Sequence, residues 1–200
     1  MFLTQFQSNF NYPNHADVKN FVGVLAGQQA SNRLALYRYD QQGSRATLVL
    51  MTRDEIPQAT IPNWDRVDLG RYDLSPAKEG DVLRFKTRVN LSICQGGKRR
   101  DFVEHYRKEN GCQSYKEALL PAALAWFGAR PELGFVVDTV QDIQQCSYRK
   151  FDNRGNTVTF PLVDIEGRIK VQDTSAFRRA IEDGIGREKA FGAGLMLVRK

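Results

Sequence analysis

The sequence contains only two histidines and three cysteines in 200 residues, which limits the metal and redox chemistry open to it. Cys94, Cys112 and Cys146 are scattered and odd in number. They therefore match neither a zinc-ligand spacing nor a disulfide framework. Thiols of this kind indicate a reducing compartment, so the sequence predicts a cytoplasmic protein with no metal site and no cofactor.

Long apolar runs are also missing. No stretch approaches the roughly 18–20 apolar residues that a membrane-spanning helix needs. The opening residues, MFLTQFQSNF, lack the basic flank and apolar core of a signal peptide. The sequence thus predicts no membrane partner, while a hydrophobic fraction of 42% argues for a folded protein.

Positive charge is in excess and is unevenly distributed. The net charge is +6 overall, yet residues 1–78 carry eight Lys or Arg against seven Asp or Glu. The remaining residues therefore hold five of the six net positive charges. This asymmetry permits an anionic partner such as a nucleic acid for the second part of the chain.

The order of the predicted elements indicates two copies of one structural unit. Residues 1–78 alternate β-like and helical patterns in the order β-α-β-β-(α)-β, and SPAKEGD follows as a polar linker. The order β-α-β-β-α-β returns after it. The sequence thus predicts an α+β protein of two tandem ferredoxin-like (βαββαβ) domains, over residues 1–78 and 79–200.

Two basic segments are candidate contacts for phosphates. Arg84, Lys86 and Arg88 alternate along a predicted strand and would share one face of a sheet. A solvated sheet face explains them as well as a phosphate-binding face does. The second segment, Lys98, Arg99 and Arg100, follows two glycines and is predicted to be a basic loop, either simply solvated or folded against a polyanion.

The C-terminal segment GIGREKAFGAGLMLV is rich in glycine and predicts a tight, irregular loop. It lacks the nucleotide-binding GxxxxGK[ST] pattern. One interpretation is structural: Gly184 or Gly186 ends the preceding helix, and Gly192 and Gly194 allow close backbone approach. The other is a backbone cradle for phosphates formed around Gly186, Arg187 and Lys189.

Histidine is the remaining candidate for proton transfer. His15 opens the first predicted helix, with Tyr12 three residues before it, and this pair could share a reacting phosphate near the N-terminus of that helix. His105 lies in a charged helix. A structural or merely exposed role is the alternative for both histidines.

The segment IEGRIKVQDTSAFRRAIEDGIGREKAFGAGLMLV closely resembles the end of the CasE family of CRISPR repeat-processing endoribonucleases. The family pattern G-[IV]-G-x-x-K-[AS]-x-G-x-G-L is complete here, from Gly184 to Leu195. RFKTRVN is similar to the basic strand of the family, and ALAWFGARPELGF is similar to one of its helices and the strand after it. The resemblance covers residues 79–200 well and residues 1–78 faintly.

This resemblance implies a function. A member of the family would bind the hairpin of a CRISPR repeat RNA on a basic face and cleave it at the 3′ base of the stem. The ribose 2′-OH would attack the adjacent phosphate without a metal, in a single turnover. The protein would then keep the mature guide RNA as one subunit of a multi-subunit ribonucleoprotein.

The resemblance also implies site residues. The family places a catalytic histidine in its first helix, sometimes after a tyrosine, and Tyr12 and His15 match that spacing. Aligning the helix by its apolar positions puts the histidine position near Val22 instead. Related enzymes use arginines, for which Arg33 and Arg38 are the substitutes here. A subunit that holds RNA without cleaving it, or a ferredoxin-like protein that binds a metabolite, are the alternative hypotheses.

Overall fold

The computed structural model describes residues 1–9, 15–25, 35–56, 63–151 and 157–200. Its N-terminal part contains one antiparallel sheet with strand order β2-β3-β1-β4. This is the strand order of a ferredoxin-like unit, in which the first strand lies between the third and the fourth. The predicted connection or short helix before β4 falls largely outside the described residues. The elements are β1 (Phe2–Ser8), α1 (His15–Leu25), β2 (Leu36–Gln42), β3 (Arg45–Thr52) and β4 (Asp65–Arg71).

The C-terminal part repeats this topology with strand order β10-β5-β9-β8. A small hairpin, β6–β7, and one extra helix are inserted after its first strand. The predicted fold class, two tandem ferredoxin-like domains, is confirmed. The elements are β5 (Val82–Val89), β6 (Ser92–Gln95), β7 (Lys98–Asp101), α2 (Phe102–Glu109), α3 (Tyr115–Gly128), β8 (Phe135–Phe151), β9 (Thr157–Val171), α4 (Thr174–Asp183) and β10 (Met196–Arg199).

The structure corrects one sequence prediction, the basic loop at residues 98–100. These residues form strand β7, which pairs with β6 in an antiparallel hairpin. Gly96 and Gly97 form its two-residue turn, with φ angles of 58° and 73°. Positive φ at both turn positions matches the right-handed twist of a hairpin. The two glycines thus make a tight turn, where the sequence had suggested a mobile loop.

Side-chain caps fix where the helices of the C-terminal domain begin. Ser114 caps α3, because it accepts a hydrogen bond from the Glu117 amide at 3.1 Å. Asp173 accepts from the amides of Ser175 and Ala176, which identifies it as the cap of α4. Helix α3 continues through Pro121.

The two domains share apolar packing. Leu36 and Met51 of the N-terminal sheet belong to the same buried cluster as Phe85, Ile169 and the other core residues of the C-terminal domain. A second cluster, around Phe6 and Leu48, lies inside the N-terminal domain. The boundary proposed at residue 78 lies between β4 and β5 and stays a prediction. In the described part of the chain, no helix is both long enough and apolar enough to cross a membrane.

We expect Ile169→Ala to lower the free energy of unfolding by about 2–5 kcal/mol, because it leaves a cavity in the shared core. Ile169 is fully buried, whereas Val136 on the neighbouring strand β8 is 38% exposed. Val136→Ala is the control and should cost less than about 1 kcal/mol. Urea unfolding followed by tryptophan fluorescence measures both, and equal losses would contradict the assignment of this core.

Candidate nucleic-acid interface

The glycine loop, residues 184–195, lies between the two domains. Gly192 has φ of 81°, and a Cβ atom there would come within 3.0 Å of the Tyr37 ring. The Tyr37 hydroxyl donates a hydrogen bond to the Ala190 carbonyl at 3.1 Å. The loop thus packs directly on strand β2 of the other domain, and this contact requires a residue without a side chain.

Hydrogen bonds and burial hold the base of the glycine loop in place. The Ile185 amide donates to the Gly194 carbonyl at 2.9 Å, and the Gly194 amide donates to the Arg88 carbonyl at 2.7 Å. Ile185 and Ala193 are fully buried. The structural interpretation of the glycines therefore accounts for the base of the loop. A phosphate cradle at Gly186, Arg187 and Lys189 stays a prediction for its exposed part.

The hairpin β6–β7 carries the second basic segment to the same place. Arg99 forms an ion pair with Glu188 of the glycine loop. Lys98 and Arg100 are exposed and point to the other side of the strand, since side chains alternate. Neither has a carboxylate within ion-pair distance among the described residues. The Arg99–Glu188 pair thus joins the hairpin to the glycine loop, and we call the two adjacent segments the loop–hairpin surface (residues 96–100 and 186–190).

Helix α1 borders the loop–hairpin surface. It packs against β8 and against a 3₁₀ turn of the glycine loop, Lys189–Phe191. The Lys19 ammonium lies 5.1 Å from the centroid of the Phe191 ring, a cation–π distance. His15 is the first residue of α1, one turn before Lys19. Tyr12 and Arg33 lie outside the described residues.

Arg88 is the centre of an ion cluster between the domains. Its guanidinium donates to both carboxylate oxygens of Asp164, at 2.8 and 2.7 Å, and to Asp40 at 2.8 Å. It also donates to the Tyr39 carbonyl at 2.8 Å. Arg38 adds bonds to Asp40 at 2.6 Å and to Asp164 at 3.0 Å.

The contacts of this cluster favour structural roles for two residues that the sequence placed in the RNA site. Arg38 is 7% exposed and engages two carboxylates. Arg88 is likewise engaged on all sides. The acidic partners, Asp40 and Asp164, were missed because no motif marks them. The pairing register sets Arg88 opposite Asp164, whereas Asp40 reaches Arg88 from the other sheet. Catalysis by Arg38 and phosphate binding by Arg88 stay untested.

The cluster also sets the ionisation of its own members. Burial opposes the charged form of Asp164, but the hydrogen bond from Arg88 and the charges of Arg88 and Arg38 outweigh it. The pKa of Asp164 is therefore held below its ordinary value. Burial would lower the pKa of Arg88, yet Asp164 and Asp40 raise it above the usual value for arginine. Both groups stay charged at neutral pH.

The face of the C-terminal sheet opposite its helices holds the third predicted set. Arg84 and Lys86 are exposed there, and Lys86 pairs with Glu166. A groove of about 900 Å³ runs from this point to the N-terminal sheet. Its walls carry five acidic and three basic side chains, and three of the five carboxylates form ion pairs with arginine or lysine. The charged wall residues are Arg38, Asp40, Arg45, Asp65, Lys86, Asp142, Asp164 and Glu166.

Comparisons with known proteins agree with this fold. The family model described as "CRISPR associated protein" matches residues 7–200, so the chain belongs to that family. The family membership indicated by the C-terminal motif is thereby confirmed. No curated protein matches the sequence.

Several solved structures share the fold over nearly the whole chain. A CRISPR endoribonuclease Cse3 bound to a 19-nucleotide RNA is 20% identical, with a TM-score of 0.75 and full coverage of both chains. Cas6e from Escherichia coli strain K-12 is 14% identical, with a TM-score of 0.65, and 99% and 98% of the two chains are covered. A chain of a CRISPR RNA-guided surveillance complex is 17% identical at the same TM-score and coverage.

We expect Asp164→Asn to cost roughly 3 kcal/mol of stability, because it leaves two largely buried arginines without their shared counter-charge. Glu166→Gln is the matched control. It removes one carboxylate of an exposed pair on the same strand and should cost less than about 1 kcal/mol. Denaturant unfolding at pH 7 measures both.

The difference in the free energy of unfolding between wild type and Asp164→Asn should depend on pH in a defined direction. A lowered folded-state pKa gives stability that is fully present above the unfolded pKa, near 3.9, and that is lost as the pH falls through the folded value. This difference in the free energy of unfolding should therefore be constant from about pH 5 to 7 and should decrease in stronger acid. A gap that widened on acidification would contradict this assignment.

Proposed function

We propose that the protein is a CRISPR RNA-processing endoribonuclease. It binds the hairpin of a repeat RNA, cuts it at the 3′ base of the stem and retains the product as a subunit of an interference complex. The observation that carries the proposal is the loop–hairpin surface, built around the family's glycine motif. The relatives with this fold, a Cse3 bound to RNA and a chain of an RNA-guided surveillance complex, support it.

The loop–hairpin surface is suited to the backbone of an RNA stem. Lys98, Arg100 and Arg187 are exposed cations on adjacent segments. Side chains cannot read the deep, narrow major groove of A-form RNA, so proteins recognise its shape, phosphates and 2′-hydroxyls. Lys and Arg on a rigid support suffice for that. The hairpin β6–β7 and the anchored glycine loop provide the support.

The proposed reaction is an internal transfer at one phosphate. A general base removes the proton of the ribose 2′-OH, and the resulting oxygen attacks the adjacent phosphorus. The bond from phosphorus to the 5′ oxygen breaks, and a general acid protonates the leaving oxygen. The products are a 2′,3′-cyclic phosphate and a 5′-hydroxyl. No water is consumed and, in this proposal, no metal takes part.

His15 is our first candidate for proton transfer, with Tyr12 as its partner. It begins the helix that packs against the glycine loop, so a scissile phosphate held on the loop–hairpin surface would be close to it. Arg38 is the weaker candidate, since its Nε and Nη2 already bind Asp40 and Asp164. Arg33 stays an alternative on sequence alone. Retention of the product implies one turnover per molecule.

A subunit that binds RNA without cleaving it is the second candidate. The family's histidine position falls near Val22 when the apolar residues of α1 are aligned. Val22 is 6% exposed and packs in the core of the N-terminal domain. An apolar, buried residue at that position favours loss of activity unless His15 takes over the role.

We expect cleavage of end-labelled repeat RNA in EDTA at a single position, and we expect His15→Ala to slow it about 10²–10⁴-fold, as loss of a positioned acid or base does. His105→Ala is the matched control, because it removes the only other histidine, which pairs with Glu109 on α2. Single-turnover assays with excess protein measure both variants. Unchanged cleavage by His15→Ala would show that another residue carries proton transfer. Tight binding of the RNA without any cleavage would establish the second candidate.

We also expect the double variant Lys98→Glu, Arg100→Glu to weaken hairpin binding and to lower the slope of log affinity against log salt by about 2. The control is Arg53→Glu with Arg71→Glu, exposed residues of the N-terminal domain, which changes the net charge equally. Filter binding over a salt series measures the slopes. An equal loss in both variants would show that overall charge, and not this surface, governs binding.

A further inference from the structure

The pairing register of the C-terminal sheet places three arginines in one row. Arg199 on β10 pairs with Arg84 on β5, and Arg84 in turn pairs with Arg168 on β9. All three are exposed on the open face of the sheet, opposite the helices. We call these residues the arginine row. The sequence alone gave no reason to link Arg168 or Arg199 to Arg84.

The arginine row is unusual because no carboxylate of the described residues pairs with it. Like charges on directly paired strand positions repel and destabilise a sheet. On the next row, Lys86 meets Glu166, and beyond it Arg88 meets Asp164. Among the described residues, no carboxylate lies within the ion-pair distance of 4.0 Å of any member of the arginine row. The face thus changes from paired to unpaired charge along a few residues of β5.

The surroundings of the arginine row suit an extended anion. Arg84, Lys86 and Arg199 border a shallow depression of about 390 Å³, together with Glu166, which pairs with Lys86. Val82 is exposed at the far side of the row. The row itself crosses β10, β5 and β9, so a bound strand would follow that line.

We propose that the arginine row is a second RNA site, which binds a single-stranded segment that continues from the hairpin. This inference rests on the proposed function. Neighbouring strands are about 4.8 Å apart, so the three guanidinium groups cover about 10 Å, enough for successive phosphates of one strand. Phe85 is the aromatic residue that lines this depression, and it is buried, so binding there is through the RNA backbone and independent of sequence.

Strand β5 connects the two RNA sites physically. The carboxyl end of β5 lies at the glycine loop, because the Gly194 amide donates a hydrogen bond to the Arg88 carbonyl. Arg84 lies four residues before Arg88 on the same strand. Four residues of extended strand span about 13 Å. A short single-stranded extension can therefore leave the loop–hairpin surface and reach the arginine row. A partner protein with an acidic surface is the competing occupant, and the experiment separates the two.

The test compares a bare repeat hairpin with the same hairpin carrying a single-stranded extension of roughly ten nucleotides, at either end, which is within the usual length of such sites. Wild-type protein should bind the extended RNA more tightly and with a salt slope steeper by about 2, from three contacts of about 0.7 each. The advantage of the extended RNA should then shrink about 20-fold between 50 and 200 mM salt.

The double variant Arg168→Gln, Arg199→Gln should lose most of this advantage and keep wild-type affinity for the bare hairpin. Lys116→Gln with Arg179→Gln is the matched control. It removes two exposed cations from helices on the opposite face of the sheet and should keep the advantage. Scrambling the nucleotide sequence of the extension should leave the affinity for the extended RNA unchanged.

Two outcomes would overturn the second site. Wild-type protein could bind both RNAs equally, or the Arg168 and Arg199 variant could keep the full advantage, which would leave the row to an acidic protein partner. Binding of the bare hairpin tests the proposed function separately. Its absence would overturn that function, whereas its presence with no gain from the extension would overturn only the second site.

Discussion

The ion cluster of Arg38, Asp40, Arg88 and Asp164 is the contact on which the rest of the structure depends. It joins one residue pair from each sheet, so the angle between the two domains follows from a few charged hydrogen bonds. Such bonds are directional, and apolar packing is not. The shared core around Leu36 and Met51 supplies attraction between the domains, whereas the cluster determines their orientation.

The same residue also connects the domain contact to the candidate RNA surfaces. The side chain of Arg88 holds the N-terminal domain, and its carbonyl accepts the amide of Gly194 at the base of the glycine loop. Tyr37 and Leu36 of β2 then contact that loop from the other domain. The glycine loop, which carries candidate phosphate-binding groups, is thus supported by both domains.

Charge is arranged along strand β5 in a way that separates functions. Near its carboxyl end, each cation has a carboxylate opposite it and serves the structure. Towards its amino end, the opposite positions are arginines, and the charge is available to a ligand. One strand with an alternating basic pattern therefore contains both a domain contact and a candidate binding surface. Alternation alone could not distinguish them, since the difference lies in the residues on β9 and β10.

Much of the fold was predictable because it depends on local patterns. The periodicity of apolar residues, the caps at Ser114 and Asp173 and the order of elements gave two ferredoxin-like domains, and the glycine motif gave the family. The hairpin at residues 98–101 was missed, because strand β7 is stable only through its pairing with β6. Of the candidate site, the sequence identified Lys98, Arg100 and Arg187, but not their proximity.

The sequence by itself determined which elements form, since helix and strand periodicity and capping act over a few residues. It also determined the excess positive charge of the second domain and the family motif. Only the tertiary structure decided which charges are neutralised, because Asp164 meets Arg88, and Arg168 and Arg199 meet Arg84, through strand pairing over long sequence separations. Whether an arginine supports the fold or is free to bind RNA is decided by those partners.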